Sequence, residues 1–70
     1  MKNWIKVERA KRGMTQDDLA KAMGVSRDAI SAIETGRYEA NVGFAIKLSK
    51  YFKKKVEDLF FLTDEDIPEL

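Results

Sequence analysis

The chain has 70 residues, 44% of them hydrophobic, and its 13 Lys and Arg against 12 Asp and Glu leave a net charge of +1. That length allows one small domain, residues 1–70, whose core alone supplies only modest net stability, so association with a second copy would help. Cys and His are both absent, which excludes a disulfide framework and a cysteine zinc site and removes the commonest metal ligand and general base.

An enzyme would have to work with scattered carboxylates, and most of these stand at helix starts where capping explains them. No cofactor, metal or small-molecule substrate is therefore expected. No apolar run approaches the roughly 18 residues needed to span a bilayer, and the first residues lack a signal-peptide pattern, so the expected location is cytoplasmic, without a membrane. The charges are unevenly placed. Residues 1–56 hold all 13 bases against six acids, a balance of +7, whereas residues 57–70 hold six acids and no base, a balance of −6. A basic body with an acidic end fits a phosphate-facing surface, although two solvated faces would look the same.

In chain order, Asn3 can cap a first helix that runs to about Arg12, with Trp4, Ile5, Val7 and Ala10 as its apolar positions and Gly13 at its end. Thr15 opens a second helix. Asp18 stands three residues later in a shorter relative of the capping box, and acids in the first turn suit the positive helix end. A third helix runs from Arg27 to about Thr35 and stops at Gly36. The fourth starts after Asn41, where Val42, Ala45, Ile46, Leu48, Ser49 and Phe52 follow a 3.6-residue period and predict a wide buried face. A short last helix takes Glu57 to about Phe60. Lys53, Lys54 and Lys55 fill the turn before it, where Gly and a Ser or Asp cap would be expected.

The second and third helices, Gln16 to Thr35, read QDDLAKAMGVSRDAISAIET and carry the functional argument. Two helices cross at about 100° over a turn this short only if their contact residue is small, and Ala20 is small. Gly24 suits a left-handed C′ position and Ser26 suits an N-cap. Leu19, Met23, Val25, Ile30 and Ile33 then face one core. Arg27, Asp28 and Ser31 point outward, a geometry that suits double-stranded DNA.

The stretches MTQDDLAKAMGVS, SAIETGRY and VEDLF, in this order and spacing, resemble the Cro/C1-type (XRE family) helix-turn-helix regulators over roughly residues 3–60. The resemblance implies an all-α, five-helix lambda-repressor-like fold, with a small two-stranded β element from the termini at a dimer interface. It implies a transcriptional regulator, most simply a repressor, in which a homodimer reads an inverted-repeat operator on the nucleoid. It also implies that Arg9 pairs with Glu34 across helices, the alternative being two independent surface charges. Ala40 stands where many relatives carry proline.

With the third helix in the major groove, Arg27 is the leading base reader, since its guanidinium can bond guanine O6 and N7 together; a phosphate clamp is its alternative. Asp28 can accept from cytosine N4 or orient Arg27, Ser31 can donate or accept, and Ala29 and Ala32 can offer methyl contact to thymine. Phosphate contacts are expected from Gln16, Arg37, Tyr38 and Asn41, with longer-range attraction from Lys11 and Arg12 unless these only form a solvated face.

Phe60, Phe61 and Leu62 form an apolar run with strand-like composition. Residues 61–70 are expected either to dimerise or to be partly disordered around Pro68. In the first case Met1 to Trp4 supplies a partner strand and Trp4, Phe61, Leu62 and Ile67 bury against the two-fold mate; in the alternative the aromatics fold back over their own domain. A protein-interaction module of antitoxin or antirepressor type on the same fold is the competing function, with FLTDEDIPEL as its docking segment.

Overall fold

Two short strands and five helices succeed one another in the computed structural model, which describes residues 1–66: β1 (Lys2–Asn3), α1 (Ile5–Lys11), α2 (Gln16–Met23), α3 (Arg27–Glu34), α4 (Val42–Phe52), α5 (Val56–Leu59) and β2 (Phe60–Phe61). The strands pair antiparallel, Lys2 opposite Phe61 and Asn3 opposite Phe60, so the two ends of the helical body close on each other. Trp4 N extends the pairing by donating to Leu59 O at 2.9 Å. The β element of the termini thus forms within one chain. Phe60 turns into the core and Phe61 sits against the Trp4 ring, centroids 5.3 Å apart. Ile67 and Pro68 lie outside the described residues.

One apolar cluster holds the helices together: Ile5, Leu19, Ala20, Met23, Ile30, Ile33, Ala45, Leu48, Phe52, Leu59 and Phe60, with Val25 and Phe44 half-buried against it. Each of the five helices contributes, so no helix can leave without exposing apolar surface.

Two helix faces differ from the sequence expectation. At α1, the N-cap residue Trp4 and Val7 are 49% and 41% exposed, Ala10 is exposed too, and the inward positions are Ile5 and the buried Glu8. Periodicity of apolar residues misses this because the inner face carries charges that are satisfied in place. Glu8 Oε1 accepts from Arg12 Nη1 at 2.9 Å, and Arg12 Nη2 donates to Phe52 O at 2.8 Å with its guanidinium 4.8 Å over the Phe52 ring. Arg12 therefore braces α1 on the end of α4 rather than serving as free positive charge. Asn3 acts one residue before the helix cap, accepting from Ile5 N at 3.2 Å while its amide donates to Ile33 O at 2.9 Å.

On α4 the buried stripe is narrower than the period suggests. Ala45, Leu48 and Phe52 face inward, whereas Val42 is 76% and Ile46 42% exposed. The last helix begins one residue earlier than expected, at Val56, and ends at Leu59 because Phe60 joins the strand.

Candidate nucleic-acid interface

The α2–α3 unit follows from its termini. Thr15 and Asp18 form a reciprocal capping box, Asp18 N donating to Thr15 Oγ1 at 3.0 Å and Thr15 N to Asp18 Oδ2 at 2.9 Å. The bond from Thr15 N and, after it, the Thr15 hydroxyl hold the Asp18 carboxyl below its ordinary range. The far end of α2 closes at Gly24, with φ of 73°. Gly24 N bonds Lys21 O at 3.3 Å and Val25 N bonds Ala20 O at 3.0 Å, the paired bonds of a Schellman end. Lys47 Nζ, from α4, caps the same end through Met23 O at 2.8 Å. The chain reverses, and Ser26 Oγ accepts from Ala29 N at 3.1 Å to start α3.

The axis of α3 is anchored by Ile30 and Ile33 in the core. Its other end is held by charge. Arg9 Nε and Nη2 donate to Glu34 Oε2 and Oε1 at 2.9 and 3.2 Å, and the two side chains are only 14% and 4% exposed. Arg9 Nη1 also donates to Met14 O at 2.8 Å, and Gln16 Nε2 donates to Glu34 Oε1 at 3.2 Å. The brace therefore reaches the first residue of α2.

What α3 offers outward is its first turn. Arg27 and Asp28 are exposed, while Ala29, Ser31 and Ala32 are half-buried along the same helix. Shallow depressions flank them on both sides. One is lined by Ser26, Asp28, Ala29, Ala32, Arg37 and Tyr38; the other includes Thr15, Gln16, Asp17 and Arg27. Tyr38, 64% exposed, is held through its backbone by the 3.2 Å bond from Tyr38 N to Ala32 O, and among the described residues its hydroxyl makes no hydrogen bond. Asn41 Oδ1 caps α4 by accepting from Phe44 N at 2.8 Å, which leaves its Nδ2 as the donor group. Among the described residues no ion pair engages Arg27, Asp28 or Arg37. A row of unneutralised donors around a projecting helix start is chemistry for an anionic, hydrogen-bonding surface.

A family model described as helix-turn-helix matches residues 5–59. The chain belongs to the Cro/C1-type helix-turn-helix family. An uncharacterized HTH-type transcriptional regulator of Methanocaldococcus jannaschii is 47% identical over 66 residues, 94% of this chain and 100% of the relative. One from Archaeoglobus fulgidus is 42% identical over 67 residues, 96% of each chain. The HTH-type regulator YgzD of Bacillus subtilis, also uncharacterized, is 41% identical over 66 residues, 94% of this chain and 100% of its own.

Within this Cro/C1-type domain the structure brings Gln16, Arg27, Asp28, Ala29, Ala32, Arg37 and Tyr38 to the two depressions beside α3. It sets Trp4, Phe61 and Leu62 elsewhere, at the paired termini. Two supports escaped the sequence reading. Lys47 carried no cap signature, because its bond is to a helix 24 residues away. The Gln16–Glu34 bond was equally silent, since nothing in either segment pairs them. Among the described residues, no helix is long and apolar enough to cross a membrane, and no cluster of three or more acids has metal-site geometry.

Proposed function

We propose that this protein is a sequence-specific transcriptional regulator that binds double-stranded DNA, with α3 in the major groove, and represses by occupying a promoter. The observation that carries the reading is the Ser26-capped start of α3, projecting Arg27 and Asp28 into solvent while the rest of the helix is tied to α1, α2 and the core. A pre-organised helix loses little freedom on binding, so contacts made from it go into affinity rather than into ordering the helix.

Arg27 is the principal base reader, toward guanine O6 and N7, worth about 1–3 kcal/mol of discrimination. Asp28 takes cytosine N4 or steadies Arg27, Ser31 adds a contact that donates or accepts, and Ala29 and Ala32 meet thymine methyls. Gln16, Arg37, Tyr38 and Asn41 hold phosphates; Gln16 has one amide N–H committed to Glu34, and its second N–H remains to be offered.

One α3 reads too few base pairs to find a site in a genome. A homodimer solves this by placing two such helices about 34 Å apart on an inverted repeat. Trp4 and Leu62, 49% and 55% exposed, and the neighbouring Phe61 form the apolar surface proposed for the two-fold contact. The place of action is the cytoplasm, on the nucleoid. Selection of bound duplexes from a random pool tests the reading. The expected consensus is a near-palindrome with guanine in each half-site, relaxed at that position by Arg27→Ala, while Tyr38→Phe weakens all duplexes alike. An asymmetric or absent consensus would transfer the fold to a protein-interaction role.

A further inference from the structure

The α4–α5 turn breaks two local rules within three residues. Lys53 holds the left-handed C′ position of α4, with φ of 57° and ψ of 43°, and the bonds from Lys53 N to Lys50 O and from Lys54 N to Ser49 O close a Schellman end around it. Among the described residues it is the one non-glycine residue with positive φ, a conformation in which glycine avoids the Cβ clash that any other side chain suffers. Lys55 holds the cap of α5 and makes no side-chain bond to the free N–H groups there, which Ser or Asp would accept from. Lysine remedies neither defect. Residues that persist against local preference concentrate where the side chain serves something other than the fold.

With Lys50, one turn earlier on α4, these positions make four exposed lysines between residues 50 and 55, and among the described residues none of the four enters an ion pair. Glu57 and Asp58 follow, at the start of α5. The residues between Lys50 and Lys53 reach toward the depression beside α3. Arg12, at the end of α1, is bonded to Phe52 O immediately before Lys53. Tyr51 Oη lies 3.7 Å from Met14 Sδ, and Met14 lines the same depression as Thr15, Gln16 and Arg27.

We infer that Lys50, Lys53, Lys54 and Lys55 continue the phosphate-contact surface past the bases that α3 reads, and hold the backbone of the same duplex outside the half-site. The inference rests on the DNA-binding reading above. Lysine is a flexible point charge with no directional fork, which suits a backbone contact and not base reading. Continuity with the Gln16 and Arg27 edge favours the duplex over an acidic protein as the occupant.

The test uses Lys53→Gly/Lys55→Ser in the full chain. This variant installs the residues that the local geometry prefers, so its thermal midpoint is expected at or above the parent's and misfolding does not confound the result. Fluorescence anisotropy follows both proteins on a duplex recovered by selection, once trimmed to the inverted repeat and once with about 10 base pairs, one helical turn, added on each side.

The parent is expected to bind the longer duplex more tightly, with a salt slope steeper than the variant's by about 0.9 for each lysine lost. With two lysines lost in each protomer and two protomers on the duplex, the slope differs by about 3.6 and the parent's advantage shrinks about 150-fold between 50 and 200 mM salt. On the trimmed duplex the two proteins should match, and both should select the same bases. Equal slopes, or no gain from the added turns, would overturn the inference and leave the DNA reading standing. Binding of an acidic polypeptide such as polyglutamate through these lysines, without any gain from the flanks, would also overturn it and assign the patch to a protein partner. A parent that binds no selected duplex would instead remove the DNA reading itself.

Discussion

Glu34→Ala isolates the element that fixes α3 to the rest of the domain. The substitution deletes both oxygens that receive Arg9, at 2.9 and 3.2 Å, one of which also receives Gln16 at 3.2 Å, and leaves Arg9, whose side chain is only 14% exposed in the parent, with Met14 O as its remaining partner. Breaking a buried pair from one side costs about 3–5 kcal/mol, most of it from the charge left without compensation. Slight access of water to Arg9 places the expected loss at the lower end, about 3 kcal/mol. A domain of this length has roughly 3.5–10 kcal/mol in total at about 0.05–0.15 kcal/mol per residue, so a large part of the stability disappears. Urea unfolding followed by far-UV circular dichroism measures it, as a fall in midpoint with an unchanged slope. Arg9→Met/Glu34→Leu, which removes both charges and keeps apolar volume, is expected to recover most of the loss. A cost below about 1 kcal/mol for Glu34→Ala would refute the reasoning, since that is the behaviour of a solvent-exposed pair.

Gly24→Ala tests the turn. A Cβ there meets no atom within 4 Å, so the expected cost, about 1–2 kcal/mol, comes from the left-handed backbone alone; a neutral result would mean that the turn changes conformation at little expense. Acid stability tests Glu8. Its carboxyl is held below its ordinary 4.5 chiefly by the Arg12 bond, with Lys11 assisting. A depressed folded-state value makes this contribution fully present above about pH 4.5 and lost as the pH falls through the folded value. Thermal midpoints of the parent are therefore expected to drop below that pH, and Glu8→Gln to flatten the drop; an identical acid limb in both proteins would exclude Glu8 as its source.

The α2–α3 unit was legible because its determinants are local. A Thr cap with an acid three residues on, a glycine at the reversal and a Ser cap each act within six residues of chain, and each forms the expected bond. The inner face of α1 was illegible for the opposite reason. Glu8 and Arg12 look like surface charges until Phe52, 40 residues further on, supplies the carbonyl and ring that make burial tolerable. The Arg9–Glu34 pair spans 25 residues and could be named only through family resemblance, because no local pattern links a base in one helix to an acid two helices later. Periodicity over-reached on α4 for a geometric reason. The sequence shows which positions share a stripe but not how much of that stripe neighbours cover, and Val42 and Ile46 lie where cover ends.

Agreement between local preference and observed structure is itself unevenly distributed. Around α3 every cap, turn and core position obeys the rule for its conformation, which is what a rigid reading element requires, since each loosened bond would have to be restored on binding. At the α4–α5 turn the same rules are broken twice, by Lys53 and Lys55, although the glycine and serine that satisfy them would leave the backbone path unchanged. Local backbone and capping preference does not account for lysine at either site. The positive charge is the property these positions gain over glycine and serine, so an explanation of the turn has to begin from what that charge meets outside the chain.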